Sequence, residues 1–140
     1  MPTMTVSKDI GAAPERVWDI LADFADVSWI PGAGDVRVDG RGPGMRRLIG
    51  GSGSTPIAET LLWIEPDRRA LAYEIVDNPL PVSRFSAVVT VSDSEAAGPG
   101  STATWEIDYE PVGDDANVRG AIEAVYGMMA GWLADAAAAP

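Results

Sequence analysis

The chain contains no histidine and no cysteine. Thiol nucleophiles, serine–histidine triads, disulfides and the usual imidazole or thiolate zinc sites are therefore excluded, and any chemistry must come from carboxylates, Arg, Tyr, Ser/Thr or backbone groups. The carboxylate with the most unusual setting is Glu59, inside the run Pro56-Ile57-Ala58-Glu59-Thr60-Leu61-Leu62-Trp63-Ile64. If that run is a strand with Glu59 facing inward, alternation puts Leu61 and Trp63 beside it and Ala58, Thr60 and Leu62 on the other face. A lone buried carboxylate is costly unless paired. Its natural partner is Arg47, which shares a face with Met45 and Ile49, with Arg46 as the competing choice. Tyr73, flanked by Leu71 and Ile75 on its own face, offers a phenolic hydroxyl.

Other spacings are better read as structure. Gly40-x-Gly42-x-Gly44 and Gly50-Gly51-Ser52-Gly53-Ser54 fall between strands, and no Gly-Lys-Ser/Thr follows. Lacking a helix N-terminus to hold phosphate, they read as hairpin turns. Asp114 and Asp115, just before a helical pattern, read as a cap rather than a metal site.

The elements that must position these residues follow from periodicity. The 140 residues are 46% hydrophobic and 22% charged, enough for one domain, residues 1–140, with one core. A first strand spans Met4 to Ile10, and a helix runs from Pro14 to Phe24, with Val17, Trp18, Ile20, Leu21 and Phe24 at helical spacing. A short helical turn is expected over Asp26 to Trp29, before Pro31 and Gly32. The period then becomes two: strands are expected at Asp35–Asp39, Met45–Ile49, Pro56–Ile64, Ala70–Asp77, Arg84–Asp93 and Thr102–Glu110, seven with the first. The glycine-rich segment Ala96-Ala97-Gly98-Pro99-Gly100 reads as a further turn, and Asn78-Pro79-Leu80-Pro81-Val82 as either a gate or a rigid connection. After Pro111 the helical period returns, with Val118, Ile122, Val125, Tyr126, Met129, Trp132 and Leu133 in one stripe.

A formal charge of −11 repels phosphate backbones and anionic lipid at long range, so nucleic acid is not an expected partner. No apolar run is long enough to insert in a membrane and the start resembles no signal region, so a cytoplasmic protein is expected. Nine Arg to one Lys, with abundant Ala, Gly and Pro, is the bias of a GC-rich genome.

This order of elements resembles the START-like, or birch-pollen-allergen-like, helix-grip fold. In detail, Ala13-Pro14-Glu15-Arg16-Val17-Trp18-Asp19-Ile20-Leu21-Ala22-Asp23-Phe24 resembles the opening helix of the bacterial polyketide cyclase/dehydrase (SRPBCC) family. Val38-Asp39-Gly40, Gly44-Met45-Arg46-Arg47, Ala58-Glu59-Thr60-Leu61, Asp67-Arg68-Arg69, Leu71-Ala72-Tyr73-Glu74-Ile75, Pro79-Leu80-Pro81-Val82 and Thr104-Trp105 follow in the family's order. The resemblance implies an α+β fold: a seven-stranded curved antiparallel sheet wrapped around a long C-terminal helix, with two short helices after the first strand.

Between sheet and helix it implies an apolar cavity. The residues expected around a ligand there are Trp18, Arg47, Glu59, Leu61, Trp63, Tyr73, Ile75, Phe85, Trp105, Ile122, Tyr126 and Met129. Of the five tryptophans, which include Trp29 and Trp132, two or three are expected to touch it; Met128 and Met129 suit an adaptable wall. In plant relatives of the fold, including lachrymatory-factor-synthase-like enzymes and hormone receptors, the glutamate matched by Glu59 lies in the cavity. The enzymes pair it with an arginine, matched by Arg47, and two tyrosines; Tyr73 matches the first, while Phe85 stands at the second and lacks its hydroxyl.

Three functions are compatible with this pattern. The leading one is binding of a small lipid-, polyketide- or isoprenoid-like ligand with one polar handle. The second is a cofactor-free cyclase, dehydratase or isomerase, with Glu59 as a general base tuned by burial against Arg47 and Tyr73 donating to a carbonyl or enolate; the plainer alternative is a buried pair that fixes strand register. The third is a protein-interaction regulator or co-chaperone. No cofactor or metal is expected, and the chain is expected to be a monomer or weak homodimer.

Overall fold

In the computed structural model, residues 2–31, 36–50, 57–76, 79–94 and 100–138 are described. The elements run β1 (Thr3–Ile10), α1 (Pro14–Ala22), β2 (Val36–Asp39), β3 (Arg46–Ile49), β4 (Ile57–Glu65), a 3₁₀ turn (Pro66–Arg68), β5 (Ala70–Val76), β6 (Val82–Asp93), β7 (Ser101–Pro111) and α2 (Asp115–Ala138). The seven strands form one curled antiparallel sheet in the order β1-β7-β6-β5-β4-β3-β2. The expected turns at residues 51–54 and 96–99, and Gly32, Asp35, Asp77 and Asn78, lie outside the described residues.

Alternation builds the inner face of the sheet. Leu71, Val89 and Trp105 stand abreast across β5, β6 and β7, as do Tyr73, Ala87 and Ile107, and all six are buried. Onto this face α2 lays Val118, Ile122, Tyr126, Ala130, Leu133 and Ala137, a stripe at helical spacing. Its 24 residues make a rod of about 36 Å, enough to cross the sheet. Trp132 is only half-buried and Met128 is 53% exposed, so Met128 faces solvent and forms no part of a cavity wall.

At the start of α2, Asp114 holds the cap position, its carbonyl accepting the Val118 N–H at 3.1 Å, and Asp115 does not serve as a side-chain cap. It accepts a 2.5 Å hydrogen bond from the Tyr109 hydroxyl, while Arg119 donates to that hydroxyl at 3.1 Å and to the Thr3 carbonyl at 3.0 Å. The helix is thereby fastened to both β7 and β1. Its other end is tied to α1, where Arg16 Nε donates to the Ala137 carbonyl at 3.1 Å.

The two short helices expected after β1 reduce to one. α1 starts on Pro14 and buries Pro14, Val17, Trp18 and Leu21, but stops at Ala22, where Asp23 leaves helical geometry (φ −81°, ψ 78°). Over Asp26 to Trp29 there is no helix. The Asp26 carboxylate accepts the Ser28 N–H at 2.9 Å, and turn bonds join Asp26 N–H to the Asp23 carbonyl and Ile30 N–H to the Val27 carbonyl. The bonds here close single turns and do not continue into a helical ladder. Among the described residues the α-helices are therefore α1 and α2, and none is long and apolar enough to cross a membrane.

Candidate functional site

Pairing in register puts Arg47 directly across from Glu59, and Glu59 across from Ile75. The neighbouring pair, Arg46 and Thr60, points to the outer face, where Arg46 is exposed, so Arg47 is the inward arginine. Arg47 and Glu59 are 6% and 7% exposed. Arg47 Nε donates to Glu59 Oε1 at 2.7 Å and Nη2 meets the same oxygen at 2.6 Å. Oε2 has no hydrogen-bond partner among the described residues.

The third guanidinium nitrogen finds a partner because α1 ends early. Phe24, beyond the last helical turn, turns its carbonyl to Arg47 Nη1 at 2.9 Å and lays its ring 3.8 Å from the guanidinium carbon. Sequence reasoning missed Phe24, whose role rests on a backbone carbonyl and on the turn after α1. The Phe-x₂₂-Arg separation carries no spacing signal of its own.

Tyr73 lies across from Leu61 and Ala87 and its hydroxyl is 2.8 Å from that of Tyr126 on α2. Phe85 stacks on the Tyr126 ring, with centroids 5.8 Å apart and planes at 19°, and Trp105 meets the same ring edge-on at 6.0 Å. The hydroxyl beside Tyr73 therefore belongs to Tyr126 on the helix, while Phe85 contributes only its ring. Burial, seconded by the Glu59 charge, pushes the Tyr73 phenol far up; burial does the same for Tyr126, helped by Tyr73 and Glu59. Both phenols stay protonated. Two hydroxyls that share one hydrogen bond retain one further O–H between them.

Two spaces adjoin these groups. The inner one, among Leu21, Phe24, Trp29, Arg47, Leu71, Tyr73, Val89, Trp105 and Met129, has a volume of about 10 Å³, room for a single water. Toward solvent, a cleft of about 290 Å³ is bounded by Ile57, Glu59 and Ile75 of the sheet, Pro79 and Leu80, and Val125, Tyr126 and Met129 of α2. Its walls are almost entirely apolar, and Glu59 and Tyr126 are the residues along it that carry a polar side-chain group. Arg47 borders the inner void and not the cleft, while Met129 borders both. The loop at the mouth is pinned, since the Pro81 carbonyl accepts the Val112 N–H at 2.9 Å. A larger depression of about 410 Å³ lies where β5 and β6 part, but Glu74, Ser83, Arg84 and Ser86 make it a polar surface hollow away from α2.

Of the residues expected around a ligand, the structure brings Glu59, Ile75, Tyr126 and Met129 to the cleft, and Arg47, Tyr73 and Trp105 to the void behind it. Trp18, Leu61, Phe85 and Ile122 are packed in the core and border neither space. Trp63 departs from the expected alternation. A bulge between Leu61 and Trp63 shifts the register, so Trp63 stands across from Ala72 on the outer face and Ile64, across from Leu71, takes the inward position. Among the tryptophans, Trp29 also borders the void, and with Trp132 it borders a shallow hollow beside α2. Pro79 and Leu80, from the segment read as a gate or a rigid connection, border the cleft, whereas Ile57 and Val125 were not anticipated there; Val125 already stood on the helical stripe. Among the described residues no group of three or more His, Cys, Asp or Glu could hold a metal.

The fold is shared with solved structures of low identity. An uncharacterized protein from Bacillus thuringiensis superposes with a TM-score of 0.85 at 21% identity, covering 96% of this chain and 98% of its own. Ara h 8.0201 gives 0.76 at 14% identity, covering 97% of each chain. Norcoclaurine synthase from Thalictrum flavum, solved in complex with dopamine and hydroxybenzaldehyde, gives 0.70 at 13% identity, covering 96% of this chain and 84% of its own. No curated protein matches the sequence. The model of the family described as polyketide cyclase/dehydrase and lipid transport, however, matches residues 1–139, and with the helix-grip fold now traced from β1 to α2, the chain belongs to that family, whose members commonly bind hydrophobic ligands.

Proposed function

We propose that the protein binds a small, largely apolar molecule with a single polar handle in the cleft between the sheet and α2. The observation that carries this reading is the cleft itself: about 290 Å³, apolar on nearly every side, with one buried carboxylate at its wall. Sites for small molecules have this character, concave and apolar with few convergent polar groups, and this one is at the small end of their size range. Taking the ~30 Å³ that a water occupies in the liquid as a generous volume per atom, the cleft holds about ten non-hydrogen atoms. Native mass spectrometry with organic extraction of the purified protein, followed by calorimetric titration with apolar compounds of that size, tests the reading. Saturable binding that Val125→Phe abolishes by filling the cleft is the expected result. Absence of binding across the panel, or binding indifferent to Val125→Phe, overturns it.

A second reading is favoured by one specific observation, the Oε2 of Glu59, unengaged among the described residues, with its charge felt by a pair of hydroxyls that keeps one O–H to donate. Here Glu59 takes a proton from carbon or oxygen of the ligand, and the Tyr73–Tyr126 pair donates to the carbonyl or enolate oxygen that becomes negative. The protein is then a cofactor-free cyclase, dehydratase or isomerase. Glu59→Gln that still binds a proven substrate but no longer turns it over supports this reading, and unchanged turnover removes it.

A further inference from the structure

We propose that the polar handle is a neutral hydroxyl, so that the cleft selects a small alcohol or phenol over a carboxylic acid of the same skeleton; this rests on the binding reading above. The direction of the Arg47–Glu59 pair carries the argument. Glu59 borders the cleft, whereas Arg47 is turned to the void behind it. All three guanidinium nitrogens are engaged, two by Glu59 Oε1 and one by the Phe24 carbonyl, and the Phe24 ring lies against the guanidinium. A carboxylate entering the cleft therefore meets the carboxylate of Glu59 with no cation facing it. Its hydration is lost and the nearest charge is of its own sign, so its entry is disfavoured.

A cation is not favoured either. The Glu59 charge is held at short range by Arg47, so an ammonium gains less from it than the loss of its own water costs. A hydroxyl suits the groups present. It donates to Glu59 Oε2, which lacks a partner among the described residues, and, with Tyr73 donating to Tyr126, it accepts the O–H that Tyr126 keeps at the cleft. Ligand and site each satisfy the other's spare donor and acceptor, and no charge is buried in the exchange.

The test is a matched series on the ten-carbon skeleton that fits the volume: geraniol, geranic acid, geranylamine and the hydrocarbon myrcene. They are titrated into the intact protein by calorimetry at about pH 7.5, where a carboxylic acid is ionised and an aliphatic amine protonated. Geraniol is expected to bind at least about tenfold more tightly than each of the other three. In Glu59→Gln the preference for alcohol over acid is expected to fall to about parity, because the repelling charge is gone. Acid or amine binding as tightly as the alcohol overturns the inference while leaving the binding reading intact, as does a hydrocarbon that equals it. If none of the four binds, the binding reading falls and the inference with it. The wild-type series decides the matter even if Glu59→Gln does not fold.

Discussion

Replacing Arg47 by Met isolates what the buried pair contributes. The substitution keeps much of the length and apolar volume of the stem but deletes the cation, two contacts to Glu59 Oε1, the bond to the Phe24 carbonyl and the contact with its ring. At 6% and 7% exposure the partners are shielded from solvent, so the figure of about 0–1 kcal/mol for surface ion pairs does not apply. Removing one member of a buried pair strands the other charge and costs about 3–5 kcal/mol. For a chain of this length each kcal/mol moves the unfolding midpoint by about 3–4 °C, so Tm should fall by about 10–20 °C. Urea unfolding followed by tryptophan fluorescence measures the free energy directly. Its decisive companion is the double variant Arg47→Met/Glu59→Leu, which removes both charges and should regain most of the loss, since apolar replacement of a buried pair is often neutral or stabilising. A loss below about 1 kcal/mol in the single variant, or a double variant no more stable than the single, refutes the reasoning.

Two further outcomes are expected. All three tyrosines, Tyr73, Tyr109 and Tyr126, have phenols raised above their ordinary value, in each case chiefly by burial. A raised folded-state value means that the stability from protonated phenols is fully present below about pH 10, where the unfolded chain titrates, and is lost as pH rises through the folded values. Alkaline titration should show tyrosinate absorbance rising together with loss of the circular dichroism signal; tyrosinate near pH 10 in a chain still folded counts against the burial argument. Gly100→Ala would set a Cβ 2.9 Å from the Ile10 carbonyl oxygen, a backbone atom that cannot turn aside, and should cost about 1–3 kcal/mol. Gly11→Ala has open space around its Cβ and serves as the control; equal Tm values for the two variants would refute the steric account.

The strands were legible because period-two runs alternate with turn residues, and most observed boundaries differ from expectation by one or two residues. The Glu59–Arg47 contact was legible too, since strand alternation leaves only Arg46 or Arg47 and places them on opposite faces. Three things were not. The turn at Asp26–Trp29 depends on whether an aspartate bonds its own backbone, which periodicity does not record. The meeting of Tyr73 with Tyr126 joins residues 53 apart and depends on how α2 lies across the sheet. The split into a nearly filled void and an open cleft is a matter of packing around Met129, and composition does not measure packing.

The bulge in β4 gives that strand a parity. Before it, odd-numbered residues (Ile57, Glu59 and Leu61) face the interior; after it, even-numbered Ile64 does, while Trp63 covers Ala72 outside. One strand therefore carries two reading frames for burial, joined at Leu62, which is 40% exposed and has no residue across from it. Whether an aromatic at 63 belongs to the core or to the outer surface is fixed by the count of residues before it and not by its own hydrophobicity. Leu62 holds the two frames apart: with Leu62 kept and the bulge closed into regular alternation, Trp63 and Ile64 would exchange faces with neither side chain changed in kind.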